Sequence, residues 1–320
     1  MGFKKRFKFL RLLRCWAPPS PSSYEKSRPP SPVSQRLASG VLKTFLAFAR
    51  VQTVLLFFCT LIAFVGAWML ARPGAIYLSP DETANAIFAE SFAHDGTLFL
   101  YEPLDPLVEN SLFPRSTAAI DGRIVPVGFV GLPAWYGIKM RVLGEWILPF
   151  LTAIAAMIAV FLWRAIVTRF AGPRVGWWAA ILLALHPAWI YYTARGLLPN
   201  VLFVSLLISS AFFFIAHPFQ TFKKIPFPLD ALLAGLALGG ALFVRLSEGL
   251  WIAAAFAVGL TMFWKEMGWK RLGFFVAGLL VALAPMGNLH TSLYGAPWRT
   301  GYTLDNFVIA SPKGEAISSG

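Results

Sequence analysis

The chain has 320 residues, 57% of them hydrophobic and 13% charged, about half the roughly 25% charge of an ordinary soluble domain. With 12 Trp and 29 Phe it composes like a membrane protein. The net charge of +13 does not indicate a nucleic-acid groove, because residues 1–50 carry 11 Lys/Arg against one acid and leave only +3 for the remainder. The two cysteines, Cys15 in the basic tail and Cys59 in an apolar run, supply neither a disulfide framework nor a thiolate metal site.

The tail, residues 1–43, reads as a largely disordered cytoplasmic arm. Its first part, FKKRFKFLRLLR, alternates bases with Phe and Leu and suits either a helix on an anionic membrane surface or a solvated basic arm. Ala17 to Ser34 is rich in Pro and Ser and lacks the apolar residues of a core.

A bilayer core of roughly 30 Å needs about 20 apolar helical residues, and charge-free stretches predict seven spans: 51–71, 146–163, 175–194, 201–216, 231–244, 249–264 and 272–288. The fold expected is an all-α polytopic membrane protein, with a module over 44–290 and a large first outer loop, 72–145, that carries interfacial helices. The basic flank of the first span predicts a cytoplasmic N-terminus. Alternation then places Arg164, Arg169, Arg174, Lys223, Lys224, Lys265, Lys270 and Arg271 inside, in agreement with the positive-inside rule. The apolar stretch Ile124 to Ile138, interrupted by Pro126, Gly128, Gly131 and Pro133, reads as interfacial or re-entrant, since another span would turn those bases outward. Residues 291–320 read as a second outer segment cut before further spans.

The outer loop holds nine of the 15 acidic residues. Within it, SPDETANAIFAESFAHDG predicts an amphipathic helix lying on the membrane surface. Ser79 is its N-cap, Pro80 its first residue and Glu82 the partner in a capping box; Ala84, Ile87, Phe88 and Phe92 form the apolar face, and Asp95-Gly96 stops it. Asp81 and Glu82 have a structural reading, as helix-dipole and capping residues, and a chemical one. A carboxylate just beyond a span stands where a lipid headgroup meets a water-soluble reactant, and it can accept a proton from an attacking hydroxyl.

These residues resemble the superfamily C membrane glycosyltransferases, in particular the glycosyltransferase family 39 branch with protein O-mannosyltransferases and aminoarabinose transferases. The hallmark is an acidic pair soon after the first span, here Asp81-Glu82. PVGFVGLPAWYGI, HPAWIYYTARGLLPN and NLHTSLYGAPWRTGY are also similar to family segments, in the family's order, across residues 76–302. The resemblance implies transfer of a sugar from a polyprenyl-phosphate-linked donor to a protein, lipid or glycan acceptor on the outer face of the cytoplasmic membrane. Asp81 is then the general base or acceptor-orienting carboxylate, with Glu82 beside it. The resemblance implies no metal ligand set and leaves a divalent cation open; the bilayer is a partner and nucleic acid is not.

Arginines on the outer side are the candidates for binding the donor phosphate: Arg123, Arg195 and Arg245, with Arg115 read as a solvated loop charge and Arg245 also placed to pair with Glu248. Glu102, Asp105, Tyr191 and Asn200 are candidates for an acceptor or sugar pocket, with a solvated loop as the alternative for the acids. His94 reads as a polar cap, and His186 as a residue that either hydrogen-bonds a neighbouring helix or marks a kink before Pro187. Two other function classes remain open. A transporter or lipid flippase should show discontinuous helices and midplane charges, and a non-catalytic assembly factor has no need of the acidic pair.

Overall fold

The computed structural model describes residues 57–58, 60–66, 69, 77–109, 111–216 and 228–304, and of residues 262–267 the backbone only. The basic tail, both cysteines, part of the first expected span and residues 305–320 lie outside the described residues. What is described is mostly helical.

Helix α1 spans Pro80–Asp95, with the boundaries its punctuation predicts. Ser79 is extended and its Oγ accepts the Glu82 N–H at 3.4 Å, while Gly96, at φ +74°, donates its N–H to the Phe92 carbonyl. The capping box is modified, because the Ser79 hydroxyl donates to Glu82 Oε2 at 3.2 Å. The expected single apolar face is also corrected. Ile87 is exposed, whereas Glu82, Ala86, Ala89, Ser91 and Ala93 are buried together with Ala84 and Phe88. Protein covers α1 on more than one side, so it is packed into the fold rather than presenting a single apolar stripe.

Short strands β1 (Leu100–Tyr101), β2 (Thr117–Ile120) and β3 (Arg123–Pro126) form an antiparallel sheet in the order β1-β3-β2. Asp121 and Gly122, at φ +48° and +74°, make the two-residue turn between β2 and β3, whose positive φ values match the right-handed twist of a hairpin. Ile124 to Ile138 is therefore not one segment: it divides into β3 and helix α2 (Gly131–Leu143), which packs on α1.

The apolar helices follow as α3 (Leu148–Ala171), α4 (Pro173–Ala184), α5 (Pro187–Ala194), α6 (Pro199–Ala216), α7 (Leu229–Val244) and α8 (Gly249–Tyr294). Among the described residues two stretches, Glu145–Ala171 and Gly268–Tyr294, are long and apolar enough to cross a membrane. The count rises to four if α5 with α6, bent by 119°, and α7 with Leu246–Thr261, bent by 116°, each make one span. The expected span 175–194 is broken at Leu185-His186, since Pro187 has no N–H to continue the ladder and holds His186 extended (φ −64°, ψ 124°). Residues 249–264 and 272–288, expected as two spans joined by a loop, both lie within α8, where Gly268 at φ +61° interrupts the helix between Leu246–Thr261 and the long apolar stretch Gly268–Tyr294.

Helices α7 and α8 meet backbone to backbone. A Cβ on Gly235 would stand 1.9 Å from the Phe275 carbonyl oxygen, and one on Gly278 would stand 2.2 Å from that of Leu232; small residues at four-residue spacing permit this approach between apolar helices. Elsewhere in the core, Tyr136 of α2 bonds Thr152 of α3, and the Thr152 hydroxyl donates to the Gly196 carbonyl at 2.6 Å. Having spent its one proton on Gly196, Thr152 must accept from Tyr136. This buried chain fixes α2 and α3 against the turn between α5 and α6.

Candidate functional site

A cavity of about 1050 Å³ opens at the N-terminus of α1. Asp81 and Asn85 of α1, the 113–117 loop, residues 126–129, the start of α6, Arg245 and Tyr302 line it. The four sequence segments that carry the family resemblance supply much of this one lining, through Asp81, through Pro126 to Phe129, through Tyr192 and Asn200, and through Tyr302.

The two adjacent acids have opposite environments because neighbouring helical positions point about 100° apart. Asp81 is exposed on the cavity wall, where its Oδ1 accepts a hydrogen bond from the Ser116 hydroxyl. Ser116 is held at φ +71°, a left-handed conformation costing a non-glycine residue roughly 1 kcal/mol or more. Glu82 is 5% exposed, and its Oε2 receives Arg195 Nε at 3.0 Å and Nη2 at 2.5 Å. Arg195 Nη1 also donates to the Tyr191 hydroxyl at 2.8 Å. Together with the bond from Asn85 Nδ2 to the Leu197 carbonyl at 2.9 Å, this pair fastens the first turn of α1 to the α5–α6 turn. Glu82, Arg195 and Tyr191 form part of the support behind the cavity, and none of the three is in its lining.

Arg245 follows the last residue of α7. Its Nη1 donates to Asn200 Oδ1 at 3.0 Å and its Nη2 meets Glu248 Oε1 at 2.8 Å, while Nε is buried with no hydrogen-bond partner among the described residues. Asn200 thus holds the guanidinium while lining the same cavity. Arg115 is a second cation in the lining, exposed and with no ion pair among the described residues. Among the described lining residues Asp81 is the one acid beside the two guanidiniums, and Glu248 pairs Arg245 from outside the lining, which leaves Arg115 as the cation without an ion pair.

Tyr302 reaches the cavity because Gly301 lies flat on the chain beneath: a Cβ there would sit 2.4 Å from Val127 Cα and 2.6 Å from the Pro126 carbonyl oxygen. Burial raises the Tyr302 hydroxyl above the ordinary tyrosine range, the Asp81 charge adds to this, and Arg245 opposes it. The phenol therefore stays protonated at neutral pH and can donate a hydrogen bond.

The remaining candidates lie elsewhere. Glu102 accepts the Leu104 N–H at 3.1 Å, and Asp105 is wholly buried, its Oδ1 accepting the Leu112 N–H at 2.8 Å; both brace their own loop rather than the cavity. Arg123 lies over the Phe99 ring at 5.4 Å. His94 meets Glu145 at 2.8 Å, both exposed. Among the described residues no three His, Cys, Asp or Glu side chains cluster closely enough to hold a metal ion. Arg115, Ser116, Tyr192 and Tyr302 belong to the cavity without having been selected as site residues from sequence. Tyr192 and Tyr302 lie inside resemblance segments, whereas nothing in the sequence marks Ser116. No family model matches the chain, and no curated protein or solved structure matches it.

Proposed function

We propose that the chain is an integral membrane glycosyltransferase that moves a sugar from a polyprenyl-phosphate donor to an acceptor hydroxyl in the Asp81 cavity. The observation that carries this reading is the convergence of Asp81 with Arg115 and Arg245 on one cavity lined by all four resemblance segments. In this reading the cavity opens on the outer face of the cytoplasmic membrane, the N-terminus is inside, and about seven segments cross the bilayer.

The roles follow from charge and reach. A phosphate attached to the sugar's anomeric carbon lies against Arg115 and Arg245, whose positive charge stabilises the leaving group as it takes the electron pair of the breaking C–O bond. Asp81 accepts the proton of the acceptor hydroxyl as its oxygen bonds the anomeric carbon. Attack opposite the leaving phosphate inverts the configuration. The Ser116 hydrogen bond orients Asp81, and Glu82 holds the turn that presents it. No covalent enzyme intermediate is needed.

Membranes containing the protein, incubated with radiolabelled polyprenyl-phosphate sugars, test the reading. Wild type transfers label and Asp81→Asn does not; equal transfer by both removes Asp81 as the base, and transfer by neither from any donor removes the enzyme reading. One observation favours a second reading, a transporter or lipid flippase: two helix pairs bend by 119° and 116°, each with an arginine at the break. Labelled lipid crossing proteoliposomes that contain Asp81→Asn as fast as wild type supports that alternative.

A further inference from the structure

The turn between α3 and α4 carries a cation with no counter-charge among the described residues. Gly176 lets the two helices close: a Cβ there would stand 2.1 Å from Thr168 Oγ1 and 3.0 Å from the Arg164 carbonyl oxygen. The next residue, Trp177, is thereby brought onto Arg164, whose guanidinium carbon lies 3.9 Å from the centre of the indole ring. An indole face is the best aromatic platform for a guanidinium, and it fixes the plane of the fork without using any N–H. Among the described residues Arg164 has no hydrogen bond and no ion pair; its Nε is buried, while Nη1 and Nη2 reach the surface.

Arg164 belongs to the stretch Glu145–Ala171, which is long and apolar enough to cross a membrane. It stands roughly 10 Å before the end of that stretch, a depth from which an arginine reaches the headgroup layer. An unpaired charge at such a depth is costly and calls for an anion. The neighbouring sequence supplies none: residues 146–229 hold no Asp or Glu, and residues 1–50 carry 11 Lys/Arg against one acid. Phe170 and Trp178, on the same two helices, are 70% and 67% exposed, a surface suited to acyl chains rather than to water. A partner that brings a phosphate and an apolar body together meets both demands, as a phospholipid does. The turn is separate from the main cavity: Thr152, which bonds Gly196 near the cavity-lining Leu198, lies about 18 Å back along α3.

We propose that the α3–α4 turn binds an anionic phospholipid, whose phosphate oxygens accept from both Nη groups of Arg164 while Trp177 holds the face of the guanidinium plane. A headgroup of net negative charge is preferred over a zwitterionic one, whose own ammonium already neutralises its phosphate. The site goes beyond the glycosyl-transfer reading and does not depend on it.

Native mass spectrometry of the full chain in detergent micelles counts bound lipid directly, with dioleoylphosphatidylglycerol, dioleoylphosphatidylcholine and inorganic phosphate as probes. Wild type binds the phosphatidylglycerol at least about tenfold more tightly than the phosphatidylcholine of the same chains. Inorganic phosphate in excess lowers that binding by less than about twofold, because it has no acyl chains to bury. Arg164→Gln weakens phosphatidylglycerol by about tenfold and brings the two lipids within about twofold of each other. Arg164→Lys keeps the charge but gives up the planar fork, and weakens it by about threefold. Two controls each leave binding within about twofold: Arg174→Gln, the same loss of charge at an exposed position in the first turn of α4, and Arg115→Gln, which removes a cation of the main cavity. Equal binding of the two lipids to wild type overturns the proposal. So does an equal loss in Arg164→Gln and Arg174→Gln, which would mean diffuse surface charge. Loss in Arg115→Gln alone would place the lipid in the main cavity, and full displacement by inorganic phosphate would make the turn a free-anion site; either result also overturns it. Should Arg164→Gln not fold, an Arg164→Lys protein that binds phosphatidylglycerol as tightly as wild type overturns the stacked fork.

Discussion

Arg195 Nε and Nη2 both reach the same oxygen of Glu82, Oε2, at 3.0 and 2.5 Å, across 113 positions of sequence. The side chains are only 15% and 6% exposed, so the pair is largely withdrawn from water. Removing one partner from such a pair leaves a buried charge uncompensated, at about 3–5 kcal/mol, whereas replacing both by apolar groups is often neutral. Glu82→Ala is therefore expected to lower the unfolding temperature sharply. The double variant Glu82→Met with Arg195→Met recovers most of that loss. Thermal unfolding in detergent measures both, and a Glu82→Ala protein as stable as wild type contradicts the structural role.

Asp81 has the opposite profile, exposed and tied to Ser116 alone among the described hydrogen bonds. Asp81→Asn keeps shape and removes charge, so stability changes by less than about 0.5 kcal/mol while transfer falls by about 10² to 10⁴-fold, the range for loss of a general base. Ser116→Ala loses only an orienting bond and should cost less than Asp81→Asn. Single-turnover transfer beside a melting curve separates the two effects; an Asp81→Asn variant that melts early and transfers normally reverses the assignment.

How far the sequence alone reveals this arrangement depends on how local each signal is. The ends of α1 are legible because Ser79, Pro80 and Gly96 act within one turn. The β2–β3 hairpin was equally local, since Asp121-Gly122 in AIDGRI is a strong turn signal, but a reading led by hydropathy absorbs its second strand into an apolar run. The partner of Glu82 is not legible, because capping chemistry and an ion pair to Arg195 demand the same residue type. Arg115 resembles a solvated loop charge until the fold places it with Arg245 in one lining. Hydropathy likewise locates the apolar residues of α4 to α8, while Pro187 and the bends after α5 and α7 decide how they are divided.

The α7–α8 contact predicts a stability effect with no catalytic component of its own. A Cβ at Gly235 would meet the Phe275 carbonyl oxygen at 1.9 Å, main-chain atoms that cannot rotate away. Gly235→Ala must push the helices apart, at about 1–3 kcal/mol for overpacking, whereas at Gly259, where nothing lies within 4 Å, the same change has no clash to relieve. Urea-induced unfolding in mixed micelles checks the contrast. Equal stability of the two variants means that the helices are not in backbone contact.

Tyr302 reports on the cavity through its own titration. Burial is the main cause of its raised pKa, with Asp81 raising it further and Arg245 lowering it. The signs follow from the phenolate's negative charge: a nearby carboxylate repels it, a guanidinium attracts it, and low polarity disfavours it. Asp81→Asn should therefore move the Tyr302 titration down toward the ordinary tyrosine value, and Arg245→Gln should move it up. Loss of Arg245 also exposes Asn200 Oδ1 to other donors, so a control with Asn200→Ala in the Arg245→Gln background keeps the charge effect separate. Ultraviolet difference titration against Tyr302→Phe isolates this phenol from the other tyrosines. Opposite shifts in the two variants place Asp81, Arg245 and Tyr302 within one electrostatic neighbourhood; no shift in either means that their charges do not meet across the cavity, and the arrangement proposed for catalysis fails with them.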